Sequence, residues 1–311
     1  MSKPDSRRTL RTSAVILAMM VGLGACSNDG GGGGIAVVAT TSILADIASN
    51  VVGDEGTVEF LVPLGGDAHD FSPSAQQVAR LTDADLVVAN GLNLEEGLVD
   101  VLESVKADGT EVVELAPLVD PLPFSPTGHE NEDEHGSEDP HFWMDPIRVG
   151  TAALAVAEFL EVSNPGGGWL EHAGVYMQEM ESTDETISAL LEDVPEGNRK
   201  MVTNHEAFGY FAPRYGFEIV GVIIPGGSTM AEPSSAELAE LVEVMDNEGV
   251  RVIFAETSQP ATLADAVAAE LGDHVEVIEL FTESLGLSGS GTETLAGMLL
   301  TNAERIASSL E

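Results

Sequence analysis

Two apolar periods alternate along the chain. Short continuous apolar runs read as buried strands, and between them apolar positions recur every three or four residues, as on one face of a helix. Residues 35–40, Ile-Ala-Val-Val-Ala-Thr, predict a strand, and 42–52 a helix with Ile43, Leu44, Ile47 and Val51 on one side. Strands at 58–62, 86–89 and 111–115 follow, interleaved with helices at 74–82 and 94–107. The rhythm restarts later, with strands at 201–203, 218–224, 252–255 and 275–280. Helices at 206–215, 234–247, 261–271 and 292–310 separate or close them. Two longer helical stretches, 146–161 and 169–191, lie between the arrays and are split by Asn164-Pro-Gly-Gly-Gly168. The second carries Val175, Met177, Met180, Ile187, Leu190 and Leu191 as its apolar positions. Strands alternating with helices predict parallel sheets with right-handed crossovers. The expected fold is α/β: two lobes of parallel βα units, residues 35–145 and 196–311, bridged by linker helices over 146–195.

Two stretches fall outside this pattern. Residues 117–140 hold prolines at 117, 121, 123 and 126 and an acidic run over 130–139 that includes His135, with His129 just before it. This reads as a surface loop in which both histidines are exposed and hold metal only loosely. The N-terminus has a basic start (Lys3, Arg7, Arg8, Arg11) and a short apolar run over 13–23, too short to span a membrane comfortably. Leu23-Gly24-Ala25-Cys26 then reads as a lipoprotein processing site, with residues 1–25 as the signal peptide and Cys26 as the lipidated N-terminus. The pair Arg7-Arg8 also hints at twin-arginine export. Residues 26–34, with five consecutive glycines, form a flexible tether. The chain is therefore expected outside the cytoplasm, anchored by lipid to the cell membrane. Cys26 is the single cysteine, so no internal disulfide is possible.

Charge narrows the partners. With 12 basic and 53 acidic residues the formal charge is −41, which repels nucleic acid and anionic lipid headgroups. Its simplest reading is solubility, or adaptation to salt.

The candidate chemistry lies in three isolated histidines and one carboxylate. They are His69 in Gly66-Asp-Ala-His69-Asp-Phe, His141 in Asp139-Pro-His141-Phe-Trp143-Met-Asp145-Pro, His205 in Asn204-His205-Glu-Ala-Phe, and Glu283 in Phe281-Thr-Glu283-Ser. Separations of 72, 64 and 78 residues are far too wide for a zinc finger or one metal-binding helix. They suit a site assembled from four loops. His69, His205 and Glu283 each follow a predicted strand, on the side where open α/β sheets bind ligands. Three imidazoles and one carboxylate suit Zn²⁺ or another transition metal better than Ca²⁺ or Mg²⁺. Glu256 is the alternative oxygen donor. His172 and His274 lack a turn context and are read as ordinary histidines.

At these residues the chain resembles the cluster A-I solute-binding proteins, the metal-binding lipoproteins of ATP-driven zinc and manganese uptake. The likeness runs from about residue 35 to the C-terminus. It includes the three histidine segments together with Ala84-Asp-Leu-Val-Val-Ala-Asn90, Glu232-Pro-Ser234, Phe254-Ala-Glu256 and Asn302. The resemblance implies two βα lobes on a rigid long helix, with metal between them. It implies ligands at His69, His141, His205 and the carboxylate of the final loop. It also implies an ABC permease as membrane partner, and the chain is expected to act as a monomer. Manganese-type members carry a carboxylate where this chain has His205, and zinc-type members a His- and acid-rich loop before the second ligand; both comparisons point to zinc. Glu283 departs from the aspartate of many members, and its extra methylene moves the carboxylate by roughly an ångström.

The expectation is a non-catalytic receptor that captures Zn²⁺ and passes it to a permease, with Mn²⁺ or Fe²⁺ as alternative cargo. A zinc hydrolase is the competing class. His205-Glu206 begins like His-Glu-x-x-His, but position 209 is Gly and no second histidine follows. A surface adhesin on the same fold is a third reading.

Overall fold

The computed structural model describes residues 34–124, 138–272 and 274–311. The leader, Cys26 and the tether up to Gly33 lie outside the described residues, as do His129 and His135. Among the described residues no helix is long and apolar enough to cross a membrane.

Two parallel four-stranded sheets form the body. The first holds β1 (Ile35–Ala39), β2 (Gly56–Phe60), β3 (Leu86–Ala89) and β4 (Val112–Glu114) in the order β2-β1-β3-β4. The second holds β5 (Lys200–Thr203), β6 (Glu218–Val222), β7 (Val252–Glu256) and β8 (Glu276–Leu280) in the equivalent order β6-β5-β7-β8. β1 pairs with β2 through Val37 opposite Val58, and β7 with β8 through Phe254 opposite Ile278. In each sheet the first strand lies between the second and third, so the direction of winding reverses beside it. That reversal opens a crevice past the strand C-termini.

The helices start where their caps dictate. Thr41 caps α1 (Ser42–Val52) by accepting the Leu44 N–H, and Ser74 forms a capping box with Gln77 on α2 (Ala75–Asp83). α3 (Val99–Ala107) begins later than the expected 94. The Glu95 carboxylate turns back to accept from the Asn90 and Gly91 N–H groups and from Thr40 Oγ1, which holds residues 90–95 in a tight loop. Asp145 caps α4 (Pro146–Ser163), with Pro146 in the first turn. The 24-residue α5 (Trp169–Glu192) spans about 36 Å at the usual helical rise. Its buried stripe is Trp169, Ala173, Tyr176, Met180, Thr183, Ile187 and Leu191, whereas Val175 is 64% exposed.

The expected helix over 206–215 shrinks to α6 (Phe211–Tyr215). Residues 204–210 are held instead by the loop before His141. The Tyr210 hydroxyl donates to the Asp139 carbonyl at 2.7 Å and accepts from the Leu122 N–H at 3.1 Å. Gly209 packs against the Asp139 carboxylate, where any Cβ would collide. α7 (Ser235–Glu248) carries a second capping box, Ser234 with Glu237, and α8 (Thr262–Leu271) precedes β8. α9 (Leu295–Leu310) starts three residues after the expected 292 because Thr294 is its cap.

The largest core runs under both sheets. It joins Val37, Ala39 and Val88 of the first to Met201, Phe254 and Leu280 of the second, through α1, α4, α5 and α9. Each sheet also has its own outer cluster: Leu81, Val87 and Leu98 on one side, Leu241, Met245 and Ile253 on the other. Arg214 of α6 grips Asp184 of α5 through two 2.6 Å bonds and reaches Asp145 at 3.3 Å, so α5 is tied to the α4 cap four residues beyond His141.

Candidate metal centre

The four candidate residues converge between the sheets. His69 stands in the loop after β2, His205 directly after β5 and Glu283 just after β8. His141 opens the turn that leads into α4. All four are at most 1% exposed. One donor atom from each lies within 4.8 Å of those of the other three. The histidine ring centroids are 5.0 to 5.6 Å apart. Nε2 of His141 and Nε2 of His205 approach to 3.2 Å, and Glu283 Oε1 is 3.7 Å from each. Ligands at 2.0–2.1 Å on a tetrahedral cation sit about 3.3 Å from one another, so this edge already has the size of a zinc polyhedron.

Carboxylates behind two of the rings set which nitrogen faces inward. Asp139 Oδ1 accepts from the His141 N–H at 2.9 Å and lies 2.7 Å from its Nδ1. Glu256 Oε1 does the same for His205, at 3.2 Å from its N–H and 2.5 Å from Nδ1. Glu256 was the alternative oxygen donor on sequence grounds. Its other oxygen accepts from Thr282 Oγ1 at 2.7 Å, so it serves as orienter of His205 and lies outside the four-residue cluster. A Glu256→Gln variant keeps the shape and an acceptor for Nδ1–H but removes the negative charge behind the ring. It should bind metal about 10- to 100-fold more weakly by competition titration, the usual cost of such a partner.

The protonation pattern follows from burial and these partners. Burial opposes charge on His205, but Glu256, by charge and hydrogen bond, and then Glu283 push it up to about 9. Burial, then the charge of His205, holds His141 well below the ordinary histidine range, against the pull of Glu256. These shifts favour a charged His205 that donates to Glu256 and, across 3.2 Å, to Nε2 of a neutral His141. Burial raises Asp139 to about 7, against the His141 N–H and the charge of His205. Burial also pushes Glu283 well above the carboxylate range. Neither Glu283 oxygen has a hydrogen-bond partner among the described residues, an arrangement that is costly unless a cation or proton is supplied.

Other groups hold the loops. The Asn90 side chain donates to the Pro140 carbonyl at 3.1 Å, fixing the residue before His141 at the crevice of the first sheet. Asn302 of α9 clasps Phe281 at both its N–H and its carbonyl, and Trp143 Nε1 donates to the Thr282 carbonyl at 2.8 Å. One signal for the supporting shell was present in the sequence. Asp67-Ala-His69 and Asp139-Pro-His141 share a spacing, and in each the aspartate accepts the histidine N–H at 2.9 Å. His172 lies apart from the cluster, with Nδ1 2.9 Å from the Val51 carbonyl between α5 and α1. His274 is exposed.

This geometry is that of a two-lobed metal-binding protein built on a helical backbone. The family model described as zinc-uptake complex component A, periplasmic, matches residues 37–309, and the chain belongs to that family. Among curated relatives, the manganese-binding lipoprotein MntA of Halalkalibacterium halodurans is 28% identical over 302 residues, covering 95% of this chain and 96% of its own. The zinc-binding protein TroA of Treponema pallidum is 31% identical over 284 residues, 88% of each chain. The solved structure of periplasmic zinc-binding protein TroA from Treponema pallidum superposes with a TM-score of 0.78 at 30% identity, covering 89% of this chain and 99% of that one.

Proposed function

We propose that this protein is an extracytoplasmic receptor that captures Zn²⁺ with His69, His141, His205 and Glu283 and delivers it to an ABC permease. The buried convergence of three imidazoles on an unsolvated carboxylate carries this reading. Three nitrogens and one oxygen suit zinc, and His205 in place of a carboxylate favours it over manganese. Relatives named for each metal keep Mn²⁺ as the alternative cargo. A non-catalytic role agrees with ligands sealed from solvent and with Gly209 where a hydrolase helix would carry its second histidine. Lipidation at Cys26 would hold a monomer at the membrane. We take residues 35–145 and 196–311 as the two lobes, each holding one four-stranded sheet, with 146–195 as the linker.

Metal analysis of protein purified without chelator, followed by competition titration, tests the assignment. One equivalent of zinc, bound more tightly than manganese, is the expected result. Copurified manganese with no zinc affinity would overturn the zinc reading.

A further inference from the structure

Since the four donors are sealed, cargo exchange requires the lobes to part somewhere. Two sets of bonds between the lobes, from Tyr210 to Leu122 and Asp139 and from Arg214 to Asp145, lie beside the linker helices; the remaining crossings differ in their setting. Trp143 to Thr282 and the Leu285 N–H to Ser42 Oγ are buried against the shared core. The Gly65 N–H to Ser284 Oγ bond, at 2.8 Å, braces the Glu283 loop. A third group stands apart, at the half-buried rim above His69. Asp67 Oδ2 accepts from Thr229 Oγ1 and from Gln259 Nε2, each at 2.5 Å. Its Oδ1 accepts from the His69 N–H at 2.9 Å. One carboxylate thus joins the backbone of a candidate ligand in the first lobe to two separate loops of the second. Thr229 lies in the loop after β6, and Gln259 in the loop after β7.

We propose that Asp67, Thr229 and Gln259 form the latch of the cleft, and that breaking it sets how fast the metal leaves. These crossings differ in what they cost to open. Parting the lobes at Trp143 or Ser42 exposes apolar core and strands buried polar groups. Opening at Asp67 hands a carboxylate, a hydroxyl and an amide to water, which can satisfy all three. The carboxylate accepts two donors at once, so the closed state is still favoured at rest. Because Asp67 also holds the His69 N–H, opening there loosens one candidate ligand in the same movement. Asp67 acts here as a positioning residue.

The proposal rests on the metal-receptor reading, and its test separates the two. Zn²⁺ release into excess chelator is followed by stopped flow for the wild type, Asp67→Asn, the Thr229→Val/Gln259→Leu pair, and all three changes together. Asp67→Asn and the pair should each release zinc at least tenfold faster. The triple variant should be no faster than Asp67→Asn alone, since all remove one link. Release at the wild-type rate from the Thr229→Val/Gln259→Leu protein overturns the latch, because Asp67 would then act on His69 alone. A second measurement needs no metal. Spin labels at Asp70→Cys and Glu232→Cys, in the full chain carrying Cys26→Ser, report the distance across the rim. Latch variants should show a longer, broader distribution, and an unchanged one overturns the latch. A wild type that takes up no zinc overturns the receptor reading, while the label distances still judge the latch.

Discussion

Replacing His205 with alanine should weaken zinc binding by at least about a hundredfold. Four-ligand protein zinc sites bind with about 10–16 kcal/mol at neutral pH, so one ligand supplies about 3 kcal/mol, and each 1.4 kcal/mol is a factor of ten. The loss should exceed that of one donor, because the truncation also leaves the buried Glu256 carboxylate without the ring that faces it. His172→Ala provides the contrast: it removes an imidazole that bonds the Val51 carbonyl, away from the four-residue cluster, and should leave affinity unchanged. Chelator competition on both variants, with circular dichroism to confirm folding, reads the difference. Equal affinity for His205→Ala and wild type would remove His205 from the ligand set.

The second large effect is a coupling between protons and metal. At pH 7 the metal-free cage should hold a proton on His205, which is pushed up to about 9 and faces Nε2 of His141 at 3.2 Å. Glu283, raised by burial, adds a second site that favours a proton over bare charge. A cation must displace these protons, so binding at pH 7 should release at least about one, and affinity should climb between pH 6 and 9. Calorimetry in buffers of different ionisation heat measures the release. The metal-free protein should move in the opposite direction. A histidine raised from about 6.5 contributes stability below its unfolded value and loses it as pH rises through about 9. Asp139, raised to about 7, has the same sign at lower pH. His141, held low, has the opposite sign, but its contribution is lost only as pH falls below about 6.5. The melting temperature of the metal-free protein should therefore fall from pH 7 to 9, while that of the zinc-loaded protein holds. A flat metal-free profile would show that His205 carries no such proton.

Much of the architecture was legible because its signals are local. Buried parallel strands read as continuous apolar runs, and Ser74, Ser234 and Asp145 mark helix starts without reference to the rest of the chain. The errors fall where a distant partner overrides local preference. Residues 94–98 have helical spacing, but the Glu95 carboxylate folds back on Thr40, fifty-five residues away. Residues 206–210 lose their helix to the Asp139 loop, which Tyr210 reaches across 71 residues. The same divide runs through the candidate site. The three histidines could be picked out by their place after strands or before a helix. Glu256 could not be assigned, because its strand position equally suits a ligand or an orienter. Only its short approach to His205 Nδ1 distinguishes the two. Thr229 and Gln259 carry no signal in their own segments; they matter through one oxygen of Asp67.

The core shared by the two sheets has a consequence for how the molecule comes apart. Topologically each half is a complete four-stranded unit, of the kind that elsewhere folds by itself. Here Val37 and Phe254, from different sheets, belong to one apolar cluster that also takes in the buried face of α5. Cutting the chain on either side of the linker helices would expose that cluster on both fragments, so neither half is an autonomous folding unit. The two halves are therefore expected to unfold in one transition, with the same midpoint by probes placed in either lobe. Opening at the Asp67 rim must therefore leave the shared cluster packed, while α2 and α3 on one side and α7 and α8 on the other rest on clusters of their own and can move with less cost.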